Sequence, residues 1–293
     1  MGRFSEKFGR GGFTTSVELT IPRGPDLTKT YAECEQYLAR FDALNLTDSP
    51  MARLKINPGM AAHLIQQKFG CETIINFSCR DRNLIAIQSD LFGDDALGVR
   101  NLLLVTGDPP KIGDFPKAKA VFEFNSVKLA AAISRLNRGE DFEGGKINRA
   151  TSFRIGVTVN PAAPKLEAEM EQLHRKLEAG GQFVISQPVY SVKAMERFLK
   201  ALEPVNAPVI LGILPLKSWK FAAYMGENVP EISVAAETLE RLKKAGSPEA
   251  ESRVGLEVVC EIAKPHLKRF RGVHVMPLGR VANATGVLDR LGL

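Results

Sequence analysis

Eight short runs rich in apolar and β-branched residues recur along the chain: TSVELT (15–20), FDALNLT (41–47), CETIINF (71–77), NLLLVTG (101–107), FRIGVTV (153–159), QFVISQ (182–187), PVILGIL (208–214) and GVHVMPL (272–278). Several are apolar throughout rather than alternating, the pattern of parallel strands covered by helices outside and packed side chains within. The segments between them read as crossover helices. LEAEMEQLHRKLEAG (166–180) places Leu166, Met170, Leu173 and Leu177 on one face, carries charge on the other and stops at Gly180. SVKAMERFLKAL (191–202) does the same with Val192, Met195, Phe198 and Leu199. Eight strand-helix repeats within 293 residues, closed by a short helix at 281–291, predict one (β/α)₈ TIM barrel domain over 1–293. A doubly wound open sheet is the alternative. The polar stretch GKINRATS (145–152) reads as a loop before strand five, and the segment 227–253 as additional helices between strands seven and eight.

Charge and cysteine usage narrow the function classes. The net charge of +6 is small for this length and scattered through helical segments, which argues against a nucleic-acid partner. Cys34, Cys71, Cys79 and Cys260 are widely spaced and form no CxxC pair, so buried reduced thiols are expected. The N-terminal MGRFSEKFGRGGF has no apolar core of a signal peptide, and no later stretch is apolar enough for a membrane span; a soluble cytoplasmic protein is expected. GxGxxG, GxxxxGK[ST] and HExxH motifs are absent from the sequence. His63, His174 and His266 fall in helical segments, and His274 in strand eight reads as a barrel-interior hydrogen-bonder; no metal site is expected.

Barrel enzymes carry their reacting groups at the C-terminal strand ends, so polar residues that interrupt apolar runs there are the candidates. They are Glu18, Thr47, Asp48, Asn76, Ser78, Asp108, Asn160, Gln187 and Arg280. A carboxylate at a strand end is usually a loop cap. Glu18 differs, because it lies inside a strand between Val17 and Leu19, where an unpaired carboxylate is costly unless it faces a polar cavity. Such a setting raises a Glu pKa and makes the group a usable general acid. TGDPP (106–110) reads as a turn whose Gly107 also permits close backbone approach to a ligand. Gln187, held before Pro188, presents an amide that can both donate to and accept from a heterocycle edge.

In order along the chain stand VEL with a following proline, TGDPP after strand four, ISQPVY after strand six, GILPL after strand seven, and GVHVMPLGR with a closing ATGVLDRLGL. Together they resemble the methylenetetrahydrofolate reductases over nearly the whole chain, and 79–116 is especially similar to reductase modules fused to homocysteine methyltransferases. The resemblance implies a noncovalent FAD across the barrel top, NADH or NADPH as electron donor, and methylenetetrahydrofolate as substrate, in one-carbon metabolism and methionine biosynthesis. It implies Glu18 as general acid, with hydride from reduced FAD, and Asp108 beside flavin and folate. Gln187, Trp219 and Arg280 fall at folate-binding positions; Thr47, Asn76, Thr106, Gly107, Asn160, Glu169 and Lys176 fall at flavin-side positions.

The chain departs from the family pattern at Thr106, where Arg is common, at Asn76, where His is common, and at Asn160 and Ala163 after strand five. These departures concentrate on the flavin-phosphate and electron-donor side. Two other readings therefore stand beside the first: a reductase subunit of a larger one-carbon complex that needs an accessory electron-transfer protein, and a flavin-free folate reductase using NAD(P)H directly. Barrel reductases of this kind also associate, so a homo-oligomer is expected.

Overall fold

The computed structural model describes residues 3–228, 232–279 and 281–293. Eight parallel strands close into a barrel in sequence order: β1 (Thr14–Leu19), β2 (Ala43–Leu46), β3 (Glu72–Ser78), β4 (Asn101–Val105), β5 (Arg154–Val159), β6 (Phe183–Ser186), β7 (Val209–Ile213) and β8 (Gly272–Val275). Closure is made by β1, which pairs with β2 through Ser16↔Ala43 and with β8 through Ser16↔His274. A TIM barrel is therefore present and the open sheet is not.

Because side chains alternate across a strand, each strand serves two cores. The outward set, including Val17, Leu44, Ile75, Leu102, Val157 and Val184, packs with the helices into one large cluster. The inward set, Ala43, Ile74, Leu103, Phe183, Ile185 and Ile210, forms a second, smaller cluster. Gly156 makes room there, since a Cβ on it would stand 2.3 Å from Phe183 Cζ.

Helix α1 (Arg3–Gly9) completes the inward cluster from below. Phe4 is fully buried, with its ring 6.1 Å from Phe183 and 5.6 Å from Phe8. Burying a side chain of this size contributes about 2–3 kcal/mol. The polar groups around it are matched: Ser5 N donates to Glu72 Oε2 (2.8 Å), and Arg154 Nη1 donates to Ser5 Oγ and Asn101 Oδ1 (both 2.7 Å).

Between strands run α2 (Thr28–Tyr37), α3 (Pro58–Phe69), α4 (Leu84–Ala96), α5 (Ser126–Leu136), α6 (Leu166–Glu178) and α7 (Val192–Ala201). Short polar residues fix several starts: Asn57, Asn83, Asn125 and Ser191 each accept a hydrogen bond from the backbone N–H three positions on. Val192, expected on the packed face, is 55% exposed because it is the first helical residue after the Ser191 cap. The expected additional helices between strands seven and eight are α8 (Trp219–Asn228), α9 (Ala236–Lys244) and α10 (Pro248–Ala263), and α11 (Val281–Leu291) follows β8. Cys34, Cys79 and Cys260 are buried and Cys71 half-buried, all as free thiols. Among the described residues, no helix is long and apolar enough to cross a membrane.

Candidate active site at the C-terminal mouth

A cavity of about 400 Å³ opens at the C-terminal ends of the strands. Glu18 from β1, Thr47 and Asp48 after β2, Asn76 from β3, and Thr106, Gly107 and Asp108 after β4 line one side. Asn160 after β5, Glu169 and Lys176 from α6, and Gln187 after β6 line the other. Two larger hollows lie at the opposite end of the strands, but one is bordered by the Ser5, Glu72 and Arg154 cluster already bonded to itself, and the other by loop residues such as Arg269 and Arg271. Unlike the Ser5, Glu72 and Arg154 cluster, the mouth holds a carboxyl, Glu18, that no hydrogen bond to another described residue engages.

Glu18 faces this space. No hydrogen bond or ion pair to another described residue engages its carboxyl, and burial alone raises it to about 7. The side chain reaches solvent through the cavity while the barrel wall surrounds it closely, so a substantial fraction stays protonated at neutral pH. Two residues back on the same strand, Ser16 Oγ lies 2.9 Å from His274 Nδ1. Burial lowers His274 to about 4, so it stays neutral and supplies no compensating charge beneath Glu18.

The other carboxylates of the mouth are engaged. Asp48 Oδ2 accepts from Ser78 N (3.0 Å), Ser78 Oγ (2.8 Å) and Arg82 Nη1 (2.8 Å), and Arg82 Nε continues to Asp90 Oδ2 (2.8 Å). Asp108 Oδ2 accepts from Met51 N (2.7 Å) in the loop after β2. Gly107 is held at φ +96°, and a Cβ there would stand 3.0 Å from Arg80 Cβ and 3.2 Å from Ser78 Cβ. The glycine thus serves the packing of its loop against the end of β3 as well as access to the cavity.

On the far wall, Glu169 Oε1 accepts from Asn160 N (2.9 Å), and the buried Lys176 donates through Nζ to Thr158 O (2.8 Å). Asn45 Nδ2 donates to Asn76 Oδ1 (2.9 Å), which sets the orientation of the Asn76 amide. Gln187 is tethered by its backbone N–H, which donates to Val159 O (2.8 Å). Trp219 is not among the cavity-lining residues. It opens α8, with Lys243 Nζ 5.5 Å and Lys220 Nζ 5.8 Å from its ring centre. Arg280 lies outside the described residues.

The lining carries more acid than base: Asp108, Glu169 and the Arg82-paired Asp48 stand with Lys176, the lining's one cation among the described residues, and the Glu18 carboxyl lies beside them. Such a site favours a ligand that becomes cationic during reaction, and its amides and hydroxyls suit the edge of a heterocycle. Among the described residues, no group of three His, Cys, Asp or Glu side chains is placed to hold a metal ion. Reading the sequence missed Arg80 and Arg82, which brace the acidic wall from behind. The visible signal was CRDR (79–82), two arginines directly after a strand.

The family profile described as methylenetetrahydrofolate reductase matches residues 3–292. "Methylenetetrahydrofolate reductase 1" of Schizosaccharomyces pombe is 22% identical over 250 residues, covering 82% of this chain and 38% of that protein. "Probable methylenetetrahydrofolate reductase (NADPH)" of Caenorhabditis elegans is 22% identical over 76% of this chain and 33% of its own, so the chain spans well under half of these two relatives. A bacterial relative, "5,10-methylenetetrahydrofolate reductase" of Pectobacterium carotovorum, is 23% identical over 78% of this chain and 72% of its own. Among solved structures, an uncharacterized protein from Clostridium thermocellum, described as binding two copies of 5-methyl-5,6,7,8-tetrahydrofolic acid, superposes with a TM-score of 0.62 at 15% identity. That match covers 98% of this chain and 96% of the other. At such identity the likeness is one of fold.

Proposed function

This chain belongs to the methylenetetrahydrofolate reductase family, and from that premise we propose that it reduces 5,10-methylenetetrahydrofolate to 5-methyltetrahydrofolate with Glu18 as the proton donor. The observation that carries the reading is the Glu18 carboxyl, which faces the mouth cavity, has no charged partner among the described residues, and is raised to about 7 by burial. A neutral acid in that place gives its proton to the folate N10 as the methylene bridge opens, leaving a cationic iminium at N5. Asp108, fixed by Met51 N, lies on the same wall and offers a negative charge to that cation. Gln187 holds the pterin edge through its amide. Hydride addition to the iminium carbon then completes the methyl group.

FAD is the hydride carrier that the family implies, and when bound it supplies a hydride at the flavin ring. The lining fits that ring: Thr47, Asn76 and Asn160 border the cavity with groups that donate and accept, and Gly107 keeps its rim low. Lys176 is the residue for a phosphate, with Glu169 for ribose hydroxyls. The diphosphate is the weaker part of the fit, since Asp108 and Glu169 share the lining with one lysine, Asp48 being paired with Arg82. That imbalance favours a second reading, in which NADH or NADPH delivers hydride directly. A transient donor needs only modest affinity, whereas a resident dianionic cofactor needs a strongly attractive site.

The absorbance spectrum of the purified protein, taken beside a turnover assay with NADH and with NADPH, tests both. A flavin band with folate turnover supports the FAD reading. Colourless protein that turns over supports the direct one. Absence of folate reduction with either nucleotide, with FAD added and with a reducing dye, overturns the proposed function.

A further inference from the structure

Loop Ser49–Ala52 has an unusual backbone. Ser49 (φ 45°), Met51 (φ 53°) and Ala52 (φ 52°) all lie in the left-handed region, and none is glycine. Side chains with a Cβ disfavour that conformation, so three such residues within four persist only where surrounding contacts over-determine them. The contacts are visible. Met51 N donates to Asp108 Oδ2 (2.7 Å), Asp114 N donates to Ala52 O (3.3 Å), and Arg80 Nη1 donates to Ser49 O (3.1 Å).

Arg80 is the centre of this arrangement. It is 3% exposed, unusual for an arginine, and each of its three guanidinium nitrogens is hydrogen-bonded to protein. Nε and Nη2 grip Asp81 at 2.7–3.0 Å, and Nη1 turns to Ser49 O and, at 3.4 Å, to Asp108 O. Its own carbonyl accepts from Val121 N (2.8 Å), tying down the far end of the loop after β4. The planar fork reaches two loops at once, a geometry that a lysine cannot reproduce. Buried and bonded to protein through all three nitrogens, Arg80 is placed to act through its neighbours.

We infer that Arg80 is a positioning residue for Asp108: it locks Ser49–Ala52 in the left-handed conformation that aims the Met51 N–H at the Asp108 carboxylate, fixing that charge for the cationic intermediate. The inference rests on the proposed role of Asp108. Without the clamp the loop relaxes towards ordinary φ values, Met51 N turns away, and the carboxylate loses its orientation while the folate pocket around Gln187 stays in place.

The test is single-turnover reduction of methylenetetrahydrofolate by the full chain loaded with its reduced hydride donor, for wild type, Arg80→Met, Asp108→Asn and the double variant. Arg80→Met is expected to slow the step about ten- to a hundredfold with folate affinity within about threefold of wild type. The double variant should be no slower than Asp108→Asn alone, since both changes remove one interaction. Hydrogen exchange, independent of turnover, should show the Met51 amide exchanging faster in Arg80→Met. Replacing Met51 and Ala52 by glycine in that background should recover part of the rate, because glycine takes the left-handed region without strain. Should Arg80→Met not fold, Asp81→Asn loosens the same guanidinium from a half-exposed position and should act in the same direction, more weakly. A wild-type rate in Asp108→Asn overturns the Asp108 role and the inference with it. An impaired Asp108→Asn beside an unimpaired Arg80 variant, or additive losses in the double variant, overturns the inference alone.

Discussion

The two ends of the barrel both bury polar groups and treat them in opposite ways. At the N-terminal end, Glu72, Asn101 and Arg154 point inward, but Ser5 of α1 bridges them and Phe4 and Phe8 cover them. Arg154 even lies 5.4 Å from the Phe8 ring centre. At the C-terminal end, Asp48 and Asp108 are oriented by hydrogen bonds, yet the cavity beside them is open, and among the described residues Glu18 has no charged partner. A closed polar cluster stabilises a fold. An oriented but open one leaves interaction capacity for a substrate, and the carboxyl without a partner is where proton chemistry belongs.

The contrast is sharpest in two substitutions. Glu18→Gln keeps shape and hydrogen-bonding capacity but removes the proton, so folate reduction should fall about 10²–10⁴-fold in single-turnover experiments. With FAD as the carrier, its reduction by the nicotinamide, which needs no such proton, should proceed normally; equal loss of both would erase the distinction between the mouth and the base. Phe4→Ala at the other end should lower unfolding free energy by about 3–5 kcal/mol in urea titrations. It should leave the folate step of the remaining folded enzyme unchanged. A smaller effect is expected for Gln187→Ala, about tenfold weaker folate binding by titration with donor affinity preserved. Loss of the hydride donor instead would move Gln187 from the folate side of the cavity to the donor side.

Most of the barrel is legible in the sequence because burial on both faces leaves a continuous apolar signature. All eight expected strands occur, and those at 101–107 and 153–159 start within one residue of β4 and β5. Helix α1 is not legible: seven residues with two aromatics in a basic context have no independent helical stability, and only the barrel interior holds them. Glu18 stands out as a carboxylate inside an apolar strand, a local conflict that only a polar cavity resolves. Asp108 and Gln187 resemble turn residues until the closed barrel places them around one space. Arg80 was hidden for a different reason. Two of its partners are backbone carbonyls, whose positions leave no trace in residue identity.

The central claim is that Glu18 acts as a neutral acid in the folate step, and the pH dependence of that step reads it directly. Its carboxyl titrates near 7, so the protonated, active form predominates below that value and is lost above it. The account predicts a single-turnover folate reduction rate in wild type that is level in mild acid, falls as pH rises through about 7, and loses this dependence in Glu18→Gln. A wild-type rate that is flat or rising through that range would contradict it.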